Sequence, residues 1–338
     1  MIRVAINGFG RIGRRVFRLI QERNDMEVVA INDLADAKTL SHLLKYDSIH
    51  GVFGKSITSD ENHIIVDGVK VPLLHQSHPK NINWKPYSID FVVESSGKFK
   101  TTNDLKHHIT NGAKQVILSV PSLDDDIKTV VIGVNDSILD GTETIISNAS
   151  CTTNNAAPMI DVINRLCKIK QAYITTIHSY TTDQSLHDQP HKDLRRARAA
   201  GQSIVPTTTG AAKALTKIFP ELSDVIGGCG IRVPVANGSL TDITFNVVDP
   251  VSITEINTAF KSASENHLKD ILEFTEDPIV SIDVVGNRHS CIFDSQMTSV
   301  IGNMVKIVGW YDNETGYSSR ILDLICNLSD KNVSLSNK

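Results

Sequence analysis

The sequence predicts an α/β protein in two parts: a doubly wound parallel sheet over residues 1–150 and an α+β part with a mixed or antiparallel sheet over residues 151–315. Three observations carry this. Short β-branched runs alternate with helical patterns in the first part. Longer strand candidates succeed one another in the second, with helices set apart. A glycine-rich turn directly follows the first strand.

In chain order, residues 2–6 read as a strand and residues 11–21 as a helix, with Ile12, Val16, Leu19 and Ile20 at helical spacing. A strand at 28–31 and a helix at 37–44 repeat the unit. Residues 63–74 alternate like an edge hairpin, with Asp67-Gly68 as the tight turn. Strands follow at 91–93, 116–118, 130–132 and 145–146. The second part offers strands at 172–178, 230–233, 240–248 and 304–310, and helices at 152–166, 211–219, 254–266 and 316–328. Residues 182–202 are polar with little periodicity, and a loop of that length is usually functional or an interface element. The polar tail, 329–338, is expected to fray.

Composition narrows the function. The chain has 338 residues, 41% hydrophobic and 21% charged, the balance of a soluble globular protein. A net charge of −4 argues against nucleic acid as the primary ligand, since only Arg195, Arg196 and Arg198 form a basic run. No run of 18 apolar residues exists, so no membrane span is expected, and the N-terminus lacks the pattern of an export signal. Five scattered cysteines without a CxxC pair argue against a disulfide framework or a metal site and fit a reducing cytoplasm.

Gly8-Phe9-Gly10-Arg11-Ile12-Gly13 matches the G-x-G-x-x-G dinucleotide fingerprint between a strand and a helix. Gly8 permits the sharp turn, Gly10 lets the backbone approach a pyrophosphate, and Gly13 lets the helix pack on the strand. Asp33 ends the second strand, where a carboxylate would bind both ribose hydroxyls and repel a 2′-phosphate, favouring NAD over NADP. A ligand-free glycine turn and a turn-capping aspartate are the plain alternatives.

Cys151 lies between a strand and a helix, at a position where the helix dipole would lower its pKa. An unperturbed thiol is only ~3% thiolate at pH 7, so activation matters. His178, at the end of the strand 172–178, is a candidate base, although a strand-end histidine is often structural. Thr207-Thr208-Thr209-Gly210 precedes a helix and offers hydroxyls, backbone N–H groups and a positive dipole end to an anion. Thr181 and Arg232 could join it, or be an ordinary loop threonine and surface arginine.

The segments AINGFGRIGR, ISNASCTTN, HSYT, DLRRARAA, TTTGAAKA and WYDNETGYS, in this order, resemble glyceraldehyde-3-phosphate dehydrogenase over residues 2 to about 328. The resemblance implies an N-terminal Rossmann domain completed by the C-terminal helix, 316–338, and a catalytic domain over 151–315. It implies NAD contacts from Arg11, Ile12, Asp33, Ser119 and Asn313, with Leu34 and Pro190 matching NAD-preferring members. Cys151 falls on the nucleophile and His178 on the base. The anion sites fall on Ser150, Thr152, Thr181, Arg195, Thr209, Gly210 and Arg232, with Arg196 competing for the place of Arg195. A homotetramer is implied, with residues 182–202 at a subunit interface, and the substrates would be glyceraldehyde 3-phosphate and inorganic phosphate. Two positions depart from the pattern: Asn155 stands where a second cysteine is common, and Ser77 where many relatives have an arginine near the adenine. Erythrose-4-phosphate dehydrogenase is the alternative, sharing fold, nucleophile and base but not normally keeping Thr181 with TTTG. A catalytically idle NAD-binding or RNA-binding protein is the alternative outside the enzymes, and the intact Cys151 and His178 argue against it.

Overall fold

The computed structural model describes residues 1–336. The chain divides into two units, one comprising Met1–Val130, Asp136–Ala149 and the C-terminal stretch from Ser318, the other Val131–Asn135 and Ser150–Tyr317.

The first unit is built on a nine-stranded sheet in the order β10-β11-β9-β8-β1-β2-β7-β6-β5. Its elements are β1 (Ile2–Asn7), α1 (Arg11–Ile20), β2 (Met26–Asn32), α2 (Ala37–Lys45), a small hairpin of β3 (Tyr46–Asp47) and β4 (Gly51–Val52), then β5 (Ile57–Ser59), β6 (His63–Val66), β7 (Val69–Leu74), β8 (Phe91–Glu94), α3 (Thr102–Thr110), β9 (Gln115–Leu118), β10 (Lys128–Thr129) and β11 (Ile145–Ser147). Pairing is parallel from β10 through β7, and the β5–β6–β7 edge is antiparallel. β8 and β9 are buried at every position, as strands covered on both faces must be. Strand order reverses at β1, which lies between β2 and β8, so a crevice opens where β1 and β8 end.

The second unit carries an eight-stranded sheet, β13-β14-β12-β15-β19-β17-β16, with β18 beside β19. Its elements are α4 (Cys151–Cys167), β12 (Ile169–Ser179), β13 (Val205–Thr207), α5 (Ala211–Ile218), β14 (Ile226–Val233), β15 (Ser239–Val247), α6 (Ile253–Glu265), β16 (Leu272–Thr275), β17 (Cys291–Asp294), β18 (Ser299–Ile301) and β19 (Met304–Tyr311). Only β12–β14 and β16–β17 are parallel; the rest pair antiparallel, giving the mixed sheet that successive strands imply. Strict alternation in β15 buries Ile243, Phe245 and Val247 on one face. Phe260 of α6 stacks on Phe293 of β17 at 3.8 Å. On the other face Tyr173 is 53% exposed.

Three sequence expectations need correction. The strand at 130–132 is displaced to Lys128–Thr129, because Asn135 Oδ1 captures the Val131 N–H at 2.7 Å and the chain turns there through Gly133. Both β16 and β17 went unforeseen: β17 is buried at every position, so it shows no alternation, and its partner is short. Finally, the tail is helical rather than frayed as far as Ser336, within α7 (Thr315–Ser336). Lys331 Nζ donates to Leu139 O at 2.9 Å and Asn332 Nδ2 to Gln115 Oε1 at 2.8 Å, which ties a polar helix down. Residues 337–338 of the expected tail lie outside the described residues.

Candidate active site

In the first unit the glycine turn sits at the carboxyl end of β1. Gly8 has φ +93°, and a Cβ there would lie 2.5 Å from Ser96 N, so only glycine fits. A Cβ on Gly13 would lie 2.2 Å from Gly8 O, so α1 can approach the turn only with glycine there. Gly10, by contrast, faces open space. A cleft of about 210 Å³ is lined by Gly8, Gly10, Asp33, Leu34 and Ser96 among others. Asp33 is fixed at its mouth, Oδ2 accepting from Phe9 N at 2.7 Å and Oδ1 from Ala35 N at 3.0 Å. Ser77 lines the same cleft. A bare helix start beside a strand-end carboxylate is what a dinucleotide needs, so these residues fit NAD. Arg11 and Ile12 open α1; Arg11 Nη1 is 2.7 Å from Asp47 Oδ2, and the carboxylate, held by the His50 and Ile49 N–H groups as well, is drawn down to about 2 despite its burial. Ser119 follows β9, its N–H donating to Glu94 O at 3.0 Å.

In the second unit Cys151 is the first residue of α4. Ser150 caps the helix, its Oγ accepting from Thr153 N at 3.1 Å, and the preceding Ala149 takes a left-handed φ of +54°. Such a conformation in a residue with a Cβ is strained and recurs at functional turns. Cys151 Sγ lies 3.4 Å from His178 Nε2. His178 and Arg232 are register partners on the parallel strands β12 and β14, so their side chains share a face. Arg232 Nη1 lies 2.6 Å from His178 Nδ1 and donates to Ser179 O at 2.9 Å, while Nδ1 itself is 2.8 Å from Ser179 O. Nδ1 can therefore accept from Arg232, which leaves the ring proton on Nε2, or donate to Ser179 O, which leaves Nε2 bare toward the sulfur.

Electrostatics revise one expectation. The thiol was expected to be lowered by the helix start. Packing around the sulfur instead pushes its pKa up by desolvation, although the residue keeps partial solvent exposure, and Arg232 and the amides at the start of α4 pull the other way. Burial and then Arg232 lower His178 to about 3. The resting pair is thus neutral thiol beside neutral imidazole. Tyr311 braces the pocket, its hydroxyl 2.9 Å from Thr152 Oγ1 and 3.0 Å from Thr176 Oγ1.

The anion-binding candidates gather on neighbouring elements. β13 runs antiparallel to β14, with Val205 opposite Arg232, and delivers Thr207 to Thr209 toward the start of α5. Thr209 Oγ1 accepts from Ala211 N at 3.2 Å, and Gly210 caps α5. Thr181 follows β12, partly buried. Arg195 is exposed and is not brought to this strip. Arg196 is: its Nε donates to Thr207 Oγ1 at 2.9 Å, its Nη2 to Thr208 O at 3.3 Å, and its charge reaches His178. Arg196 thus lies beside the threonine strip, paired also with Asp183, while the side chain of Arg195 turns to solvent. Asn313 Oδ1 accepts from Ser179 Oγ at 2.9 Å and Ser239 Oγ at 3.0 Å, which aims its amide N–H groups away from both. Asn155, which departs from the family pattern, donates to Ser290 O and Trp310 O, tying α4 to β19.

The described residues contain no group of three or more His, Cys, Asp or Glu able to hold a metal ion. The model of the glyceraldehyde 3-phosphate dehydrogenase NAD binding domain matches residues 2–102, and that of the C-terminal domain residues 150–313. Glyceraldehyde-3-phosphate dehydrogenase 1 of Bacillus cereus is 48% identical over 335 residues, 98% of this chain and 100% of the relative. Glyceraldehyde-3-phosphate dehydrogenase 2 of Streptomyces avermitilis is 50% identical over 96% of this chain and 97% of its own. The enzyme of Geobacillus stearothermophilus is 47% identical over 98% and 99%. With two family models tiling most of the sequence and near-complete relatives at about half identity, the chain belongs to the glyceraldehyde-3-phosphate dehydrogenase family of NAD-dependent oxidoreductases.

Proposed function

We propose that the chain oxidises glyceraldehyde 3-phosphate with NAD and inorganic phosphate to 1,3-bisphosphoglycerate and NADH, through a thioester on Cys151. The observation that carries this is the 3.4 Å approach of Cys151 Sγ to His178 Nε2, with Arg232 against the same ring. Sulfur attacks the aldehyde carbon while its proton passes to Nε2, in the tautomer where Nδ1 donates to Ser179 O. The imidazolium returns that proton to the oxyanion, giving a thiohemiacetal. His178 then takes the hydroxyl proton as the carbonyl re-forms. When bound, NAD supplies the acceptor for the hydride leaving that carbon. Phosphate attacks the thioester, the C–S bond breaks, and the departing sulfur recovers its proton from His178.

Arg232 and Arg196 set positive charge where substrate phosphate and attacking phosphate would otherwise repel, with Ser150, Thr152, Thr181, Thr209 and Gly210 as hydroxyl and amide donors. Arg196→Ala should raise the KM for phosphate on the order of tenfold, the scale of one charge-assisted hydrogen bond. Arg195→Ala should leave it within about twofold. Equal effects in initial-rate titrations would reject the distinction. Cofactor contacts are assigned to Gly8, Gly10, Arg11, Ile12, Gly13, Asp33, Ser119 and Asn313.

A cytoplasmic homotetramer completes the reading. The tetramer is supported by Leu186 (82%), Leu194 (83%) and Ile204 (70%), apolar side chains exposed in and beside the 182–202 segment that a subunit interface would cover. No described helix is long and apolar enough to cross a membrane. Following NADH absorbance with glyceraldehyde 3-phosphate or erythrose 4-phosphate, each with and without phosphate, tests the activity. Rapid turnover is expected only with the triose and phosphate together. Preference for the tetrose, or indifference to phosphate, would overturn it.

A further inference from the structure

A buried chain of polar groups that the chemistry above does not use runs beneath the NAD cleft. Glu94 ends β8 and is 1% exposed; His108 of α3 is fully buried. Glu94 Oε1 accepts from Ser96 N at 2.9 Å and from Ser96 Oγ. Its Oε2 faces His108 Nε2 at 3.1 Å and accepts from Asn7 Nδ2. Trp84 Nε1 donates to His108 Nδ1 at 3.0 Å. In the other direction, Asn7 Oδ1 accepts from Asn32 Nδ2 at 2.7 Å, and Asn32 exchanges two hydrogen bonds with the Gln76 backbone, at 2.8 and 2.9 Å.

The ends of this chain cannot reverse. An indole N–H only donates, so His108 Nδ1 is bare and Nε2 carries the proton toward Glu94. The Gln76 backbone fixes the Asn32 amide, which fixes the Asn7 amide, whose Nδ2 then points at Glu94. Every neighbour of Glu94 is a donor, so the side chain must be an acceptor on both oxygens. These same groups set the walls of the cleft: Ser96 abuts Gly8, and Asn32 precedes Asp33.

We infer that Glu94 is a positioning residue for NAD: as a carboxylate accepting from Ser96, Asn7 and His108, it fixes the distance between the glycine turn and Asp33. The inference rests on this cleft being the NAD site. Glu94→Gln keeps the shape but turns an NH2 toward two donors. Trp84→Phe does not touch the cleft and frees His108 to move its proton to Nδ1, after which Nε2 can accept from the glutamine.

Calorimetric titration of the whole protein with NAD tests this. Glu94→Gln should weaken NAD binding about tenfold, the scale of one mispaired buried hydrogen bond. Its circular dichroism and its kcat at saturating NAD should stay within about twofold of native. Adding Trp84→Phe should recover at least about threefold. Unchanged affinity in folded Glu94→Gln, or no recovery in the double variant, overturns the inference. Should Glu94→Gln not fold, Glu94→Asp serves: its shorter stem cannot span Ser96 and His108, so native affinity there overturns it equally. Failure of the native chain to bind NAD would instead remove the cofactor reading on which the inference stands.

Discussion

Cys151→Ser is expected to lower turnover by on the order of 10⁶-fold while leaving NAD affinity within about twofold, the scale seen when a covalent nucleophile is removed. The reason is electronic rather than steric. A serine hydroxyl is far less acidic than a thiol, and an imidazole with a pKa near 3 is too weak a base to make up the difference. The oxygen ester that would result is also a poorer acyl donor than a thioester. Stopped-flow measurement of the first turnover separates chemistry from product release. A serine variant retaining a tenth of native turnover would rule out Cys151 as the nucleophile.

His178→Asn is expected to cost about 10²–10⁴-fold in kcat, the contribution of a general acid–base group. It also carries a stability signature. The folded protein holds His178 neutral down to about pH 3, whereas the unfolded chain protonates it near 6.5. Between those values the unfolded state binds the extra proton, so stability rises with pH. The contribution is therefore fully present above 6.5 and erodes as pH falls toward 3. Urea titrations at pH 7 and pH 5 should show the native protein losing more stability than the variant; equal losses would contradict a buried neutral imidazole.

Much of this site was legible in the sequence, because local chemistry announced it. The glycine fingerprint states its own backbone requirement, and Cys151 follows a strand and opens a helix, both visible from residue types. What stayed hidden depends on side-chain direction or on long-range pairing. Arg195 and Arg196 are adjacent and chemically identical, so only the turn of the loop toward β13 separates them. The direction of the thiol shift is not legible, because a helix start is visible in sequence while the burial that desolvates the sulfur exists only in the folded chain. Glu94, His108 and Trp84 show no motif, since their relation exists only once β8, α3 and the chain after β7 are folded together. The strands β16 and β17 pair only with each other and with β19; β17 carries no period-two pattern, and the alternation Leu272-Glu273-Phe274-Thr275 of β16 spans only four residues.

The pairing of β12 with β14 has a consequence for how this protein tolerates change. His178 and Arg232 owe their proximity to a ladder of backbone bonds running from Ala172 opposite Ile226 to Ser179 opposite Val233. The covalent path between them, through the surface segment after Tyr180, does not set it. Residues can be gained or lost along that path without parting the two side chains. A single residue inserted within β14 would instead swing the guanidinium to the opposite side of the sheet and present a neighbouring aliphatic group to the imidazole. Length variation among natural or engineered versions should therefore gather in the segment and spare the strand.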